Sequence, residues 1–147
     1  VVLFMLPQPT EIEGIDVQVE RQQQRRRLRA SGFYGRAATG IGRFIGPEEV
    51  ERRPVFEFAD FLRGIPGVTF NNESIQFRGG GLDGGPCDPN IFIDGARVFA
   101  EFGITTLIQP DQVAGIEVYR GVAQTPLEWG GLNGTCGTLL IWTKLGR

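Results

Sequence analysis

The chain has 147 residues, one domain's worth with a modest core, and 22% of them are charged. A net charge of −2 speaks against nucleic acid as the main partner, and the absence of histidine removes the commonest general base. Its 22 glycines, roughly twice the usual share, call for many turns or for backbone packed closely against something else.

In chain order, residues 1–6 and 15–19 read as two short strands around a Pro7/Pro9 turn, the tail of a preceding β-domain. The apolar run 1–6 is far too short to span a bilayer and lacks the flanks of a signal peptide. Residues 20–43 mix Gln, Arg, Ala and Gly with little periodicity and read as a linker with some nascent helix. Its arginines (Arg21, Arg25, Arg26, Arg27, Arg29 and Arg36) form either a solvated stretch or a contact for an acidic partner. Pro47 to Arg53 has proline first, acids in the first turn and arginines in the last, and so predicts a short helix ended by Pro54. Phe58, Phe61, Leu62 and Ile65 recur at helical spacing, predicting a second helix punctuated by Gly64 and Pro66-Gly67.

Two strand pieces follow, Val68-Thr69-Phe70 and Ser74-Ile75-Gln76-Phe77, joined by Asn71-Asn72. Asp94-Gly95, between Ile91-Phe92-Ile93 and Ala96-Arg97-Val98, is a tight-hairpin signal. Pro110 to Val113 predicts one helical turn feeding a strand over 116–119, and Thr125 to Trp129 another turn stopped by Gly130. Leu139 to Trp142 is continuously apolar, as in a strand buried on both faces.

Chemistry is poorly represented. Asp83, Asp88 and Asp94 sit in Gly/Pro settings that suit turns rather than acid–base work, and neither Ser31 nor Ser74 lies in a nucleophile elbow. The glycine run 79–85 leads to Pro86 and Cys87, where a phosphate loop needs Lys-Ser/Thr and a helix. Cys87 and Cys136 lack the further ligands a zinc site needs; a disulfide is the better reading and implies an oxidising compartment. Arg78 and Arg120 each end a strand and precede a glycine. They are either exposed or paired with carboxylate, from Glu117 or Glu128 of this domain or from another domain.

Five motifs then fall in one order. Phe58 to Val68 ends in Gly64-Ile65-Pro66-Gly67-Val68; Ile75-Gln76-Phe77-Arg78-Gly79, Ile91-Phe92-Ile93-Asp94-Gly95 and Ile116-Glu117-Val118-Tyr119-Arg120-Gly121 follow; Gly137 to Lys144 closes the series. Over residues 44 to 144 this resembles the plug domain of TonB-dependent outer-membrane receptors. Val122 stands where that family commonly has proline, and Trp129 where it has tyrosine. The resemblance implies an α+β fold, a small mixed sheet with short helices and Gly-rich loops over residues 44–147. It implies a gate that does no chemistry and needs no metal or cofactor. It places the domain at the bacterial outer membrane, inside the lumen of a C-terminal β-barrel of the same polypeptide and facing the periplasm. Its implied barrel-pairing set is Arg78, Arg120 and Glu117. The candidate ligand-facing residues are Leu82, Asp83, Asp88, Phe99 and Phe102, for a small ligand of unspecified class. A TonB contact is expected before the plug, with Ile15, Asp16, Val17, Gln18 and Val19 as the candidate segment. The rival expectation is a stand-alone periplasmic or secreted binding module of the same fold.

Overall fold

The computed structural model describes residues 8–71, 74–79, 83–100, 103–130 and 136–144. Its frame is a mixed five-stranded sheet in the order β1-β6-β7-β4-β5. The strands are β1 (Arg43–Ile45), β4 (Asn90–Ile93), β5 (Ala96–Val98), β6 (Val113–Arg120) and β7 (Gly137–Thr143). Only the β4–β7 pairing is parallel. Strands β2 (Val68–Asn71) and β3 (Ser74–Phe77) form a separate antiparallel pair with Val68 opposite Phe77. This is the α+β class.

The chain before β1 differs most from expectation. Residues read as a strand over 15–19 and a linker over 20–43 form a helix α1 (Gln8–Ala30), a second helix α2 (Phe33–Ala38) and β1 itself. Gln, Glu and Arg are good helix formers, and Arg27 and Arg29 in the last turn oppose the helix dipole. The alternation of Ile15, Val17 and Val19 that suggested a strand finds no sheet; all three stay exposed. Gly32, at φ 86, breaks α1 from α2.

Helix α3 (Pro47–Arg52) forms as its caps predict. The second expected helix shrinks to a 3-10 turn over Phe58–Phe61. Two causes act together. Arg53 donates to the carbonyls of Phe61 and Asp60 at 2.8 and 3.0 Å, taking acceptors a longer helix would use, and Gly64 turns the chain at φ 86. The Asp94-Gly95 hairpin is present, with φ of 50 and 88 as a type I′ turn requires. Asp94 also accepts bonds from the Thr143 amide and hydroxyl at 2.8 and 2.5 Å, latching the turn to the end of β7.

Both faces of the sheet are covered. One carries the main core, with Ile116, Val118, Leu139 and Ile141 against Phe58, Phe61 and Phe77. The other carries Ala114, Tyr119, Leu140 and Trp142 beneath Leu28 of α1 and Phe33 of α2. Gly115 makes that cover possible: a Cβ there would come within 3.2 Å of Phe33 and 3.3 Å of Leu28. Among the described residues no helix is long and apolar enough to cross a membrane.

Candidate functional site

Strand β6 alternates between the two cores, and this puts a carboxylate inside. Ile116 and Val118 face one core, so Glu117 points with Ala114 and Tyr119 into the other, at 0% exposure. A buried carboxylate must be fully bonded or it destabilises the fold. Glu117 accepts from Arg36 Nε at 2.7 Å and Nη2 at 2.8 Å, a bidentate fork. It also accepts from the Tyr119 hydroxyl at 2.6 Å and the Trp142 indole N–H at 2.6 Å. The bond to Glu117 holds the Arg36 guanidinium above its ordinary range. Burial, then the bond to Glu117, does the same for the Tyr119 phenol.

Arg36 has further ties. It donates to the Ser31 carbonyl at 3.0 Å and approaches Glu128 at 3.5 Å. Its guanidinium carbon lies 5.8 Å from the Trp129 ring centroid and 5.9 Å from that of Trp142. Glu117 and Glu128, considered as partners for Arg78 or Arg120, are thus engaged by an arginine of α2 instead. Sequence reasoning missed Arg36. The available signal was a lone acid within the apolar run of β6, which requires a cation somewhere, though not this one.

Arg78 and Arg120 converge on one turn. The Arg78 amide donates to the Gly67 carbonyl at 2.8 Å. The Arg120 guanidinium lies against the α-carbon of Gly67, where a Cβ would meet Nη1 at 2.0 Å. Gly67 has φ 84, so the glycine serves both the turn and the close approach. Arg78 is exposed and Arg120 half-buried, and among the described residues neither takes part in an ion pair. Beside Arg120 is a cleft of about 230 Å³ lined by Gly42, Arg43, Pro66 and Gln124.

Of the candidate ligand-facing residues, Asp88 and Phe99 share a cleft of about 300 Å³ with Ser74, Asn90 and Arg97. Phe99 is 68% exposed, with the Arg97 guanidinium 5.2 Å from its ring centroid. Asp83 is not in that cleft; its carboxylate accepts from the Gly85 amide at 2.9 Å within its own turn. Leu82 and Phe102 lie outside the described residues. Cys87 and Cys136 form a disulfide, Cα atoms 5.8 Å apart. The Cys87 backbone pairs with Phe77, so the bridge joins the β3 end to the start of β7.

Comparison with known proteins assigns the fold. The family model of the TonB-dependent receptor plug domain matches residues 35–135. The chain belongs to this family. Solved structures similar to the plug include a mutant of the ferric enterobactin receptor PfeA from Pseudomonas aeruginosa, 26% identical with a TM-score of 0.53. That match covers 74% of this chain and 18% of the receptor. A PfeA mutant in complex with enterobactin is also 26% identical, with a TM-score of 0.51, over 70% of this chain and 17% of that one. The siderophore receptor PirA from Acinetobacter baumannii shares the fold at 24% identity and a TM-score of 0.52, over 69% and 17%. The plug described here therefore spans less than a fifth of these receptor chains. Comparison with curated protein sequences finds no match. The family is one of receptors and not of enzymes.

Proposed function

We propose that this plug occludes the lumen of an outer-membrane β-barrel of the same polypeptide and takes part in ligand binding and TonB-coupled uptake. The observation that carries the reading is the pair of arginines at the Gly67 turn. The Arg78 backbone amide and the Arg120 guanidinium both meet Gly67, and among the described residues no carboxylate pairs with either arginine. Inside a barrel an arginine facing the wall needs an acidic partner, and wall glutamates would supply one to each. Glu117 is not in this set, because its bonding capacity is used within the domain. The Asp88/Phe99 cleft is the candidate ligand surface, with polar and aromatic groups side by side. The segment 15–19 is the candidate TonB contact; its apolar side chains are exposed on α1.

Immunodetection of the native product in fractionated cells tests this. A heat-modifiable outer-membrane band much longer than the present chain is the expected result. A soluble periplasmic band of about the present length would overturn it and leave a binding module. Within the barrel-bearing product, Arg78→Ala should loosen the plug against proteolysis. In the chain alone the same exposed substitution should change stability by less than about 0.5 kcal/mol.

A further inference from the structure

We infer that α1 is a detachable arm, and that the Arg36–Glu117 pair is the fixed point at which its detachment stops. Along 14–27 the described attachments of α1 are of one weak kind; its buried anchor, Leu28, lies at the C-terminal end beside the hinge. Residues 14–23 are all exposed, and Leu28 is the one side chain of α1 described as buried. Toward α3 the arm is held by Arg21–Glu51 at 3.3 Å and Arg25–Glu48 at 3.1 Å, with every one of these side chains at least 45% exposed. Such pairs each contribute little and are screened by salt. Arg27 adds one bond to the Lys144 carbonyl.

Before Leu28 the arm is also loosely seated. A cavity of about 400 Å³ lies between its Glu20, Gln23 and Arg27 and the Leu107, Ile108 and Gln112 surface. A second of about 220 Å³ runs beneath Arg27 and Leu28 beside Trp142. Both are clefts open to solvent, so the inner side of the arm over 20–27 is only partly packed.

Immediately beyond the arm the character of the contacts inverts. Gly32 supplies a hinge at φ 86, and the carbonyl of Ser31 on its near side is held by Arg36 Nη1. Arg36 itself is only 15% exposed and is forked onto a carboxylate at the centre of β6. The boundary between a salt-labile and a salt-resistant attachment therefore falls inside five residues, from the hinge to Arg36. Arg36 is a positioning residue here: it keeps α2 and β1 seated while α1 leaves. If the proposed TonB coupling holds, a pull on the segment before the plug would strip α1 first and then load β6, the strand that carries Arg120. The arm itself does not depend on that coupling.

Hydrogen exchange on the full 147-residue chain tests the inference without any barrel, so its failure and that of the transporter reading are seen separately. Raising NaCl from about 20 to about 500 mM should speed exchange over 14–27 roughly two- to tenfold, the loss of two exposed pairs. The Glu48→Gln/Glu51→Gln variant should reproduce that rate at low salt. In both cases amides of α2, β1 and β6 should stay protected. Arg36→Gln should extend the fast region through α2 and β1, on the order of a hundredfold. If that variant loses protection everywhere, Arg36→Lys must show the same extension at smaller amplitude. Salt-insensitive exchange over 14–27, opening of α2 in step with α1 in the unsubstituted chain, or an unmoved boundary in Arg36→Lys would each overturn it.

Discussion

Replacing Arg36 with alanine removes the two parallel bonds that end on Glu117 at 2.7 and 2.8 Å. It leaves a carboxylate that sits at 0% exposure in the core beneath α2. Deleting one partner of a buried pair costs about 3–5 kcal/mol. The lower end applies, because Tyr119 and Trp142 continue to donate at 2.6 Å each and the 15% exposure of Arg36 opens a route for water. The expected loss is therefore about 3 kcal/mol, a large part of the 5–15 kcal/mol typical of a domain. For a chain of this size it corresponds to a fall in Tm of about 10 °C. Urea unfolding should be followed by far-UV circular dichroism, since Trp129 and Trp142 both adjoin the network and would report on it locally. Adding Glu117→Gln to an Arg36→Met chain removes the orphaned charge while keeping an acceptor, and should recover at least half of the loss seen with Arg36→Met alone. A single-variant loss below about 1 kcal/mol, or a double variant no more stable than the single, would refute the reasoning.

Three other outcomes are expected. Cys87→Ser/Cys136→Ser opens a link spanning 49 residues and should lower unfolding stability by about 4 kcal/mol on the chain-entropy account, read as a shift in urea midpoint against the oxidised chain. Gly137→Ala forces a side chain at φ 121 to within 2.2 Å of the Tyr119 carbonyl and 2.7 Å of the Gly121 amide, both backbone; thermal unfolding should show a loss of about 3 kcal/mol or more. Asp60, held down to about 2 by its bond to Arg63 and by the amides of Phe56 and Glu57, stabilises the fold fully only above its unfolded value near 4. The stability gap between the native chain and Asp60→Asn should therefore be full above pH 5 and shrink as pH falls through 4 toward 2.

What the residues disclosed follows from how local each signal is. The β4–β5 hairpin was readable because Asp94-Gly95 states its turn chemistry in two adjacent residues, and β7 because four consecutive apolar residues admit few other places. Helix α1 was unreadable by pattern, for its long polar stretch buries Leu28 and lays no apolar stripe along the body. The 3-10 turn at 58–61 carries the spacing of a longer helix, and what shortens it is Arg53, whose reach to the carbonyls is tertiary. The Arg36–Glu117 pair joins positions 81 apart in sequence, and nothing near either residue names the other. The disulfide was accessible because only two cysteines exist. The convergence of Arg78 and Arg120 on Gly67 needed the turn to be built first.

The place of β7 in the sheet sets a timetable for folding. It lies between β6 and β4, so β1–β6 on one side and β4–β5 on the other have no strand in common until it arrives. Yet β7 follows the six other described strands in sequence. Until then each half of the sheet must wait with an open edge, the form of unfinished fold most prone to pair with the wrong neighbour. The closing step is also a distant one, since β4 and β7 pair in parallel with partners 48 residues apart (Ile91 with Leu139), and such pairings are slow. Cys136 immediately precedes β7, so oxidation with Cys87 records the insertion of that strand. A pulse-chase that follows the thiols would then time the insertion of β7, and chains whose thiols are still free would be the ones with open β-edges.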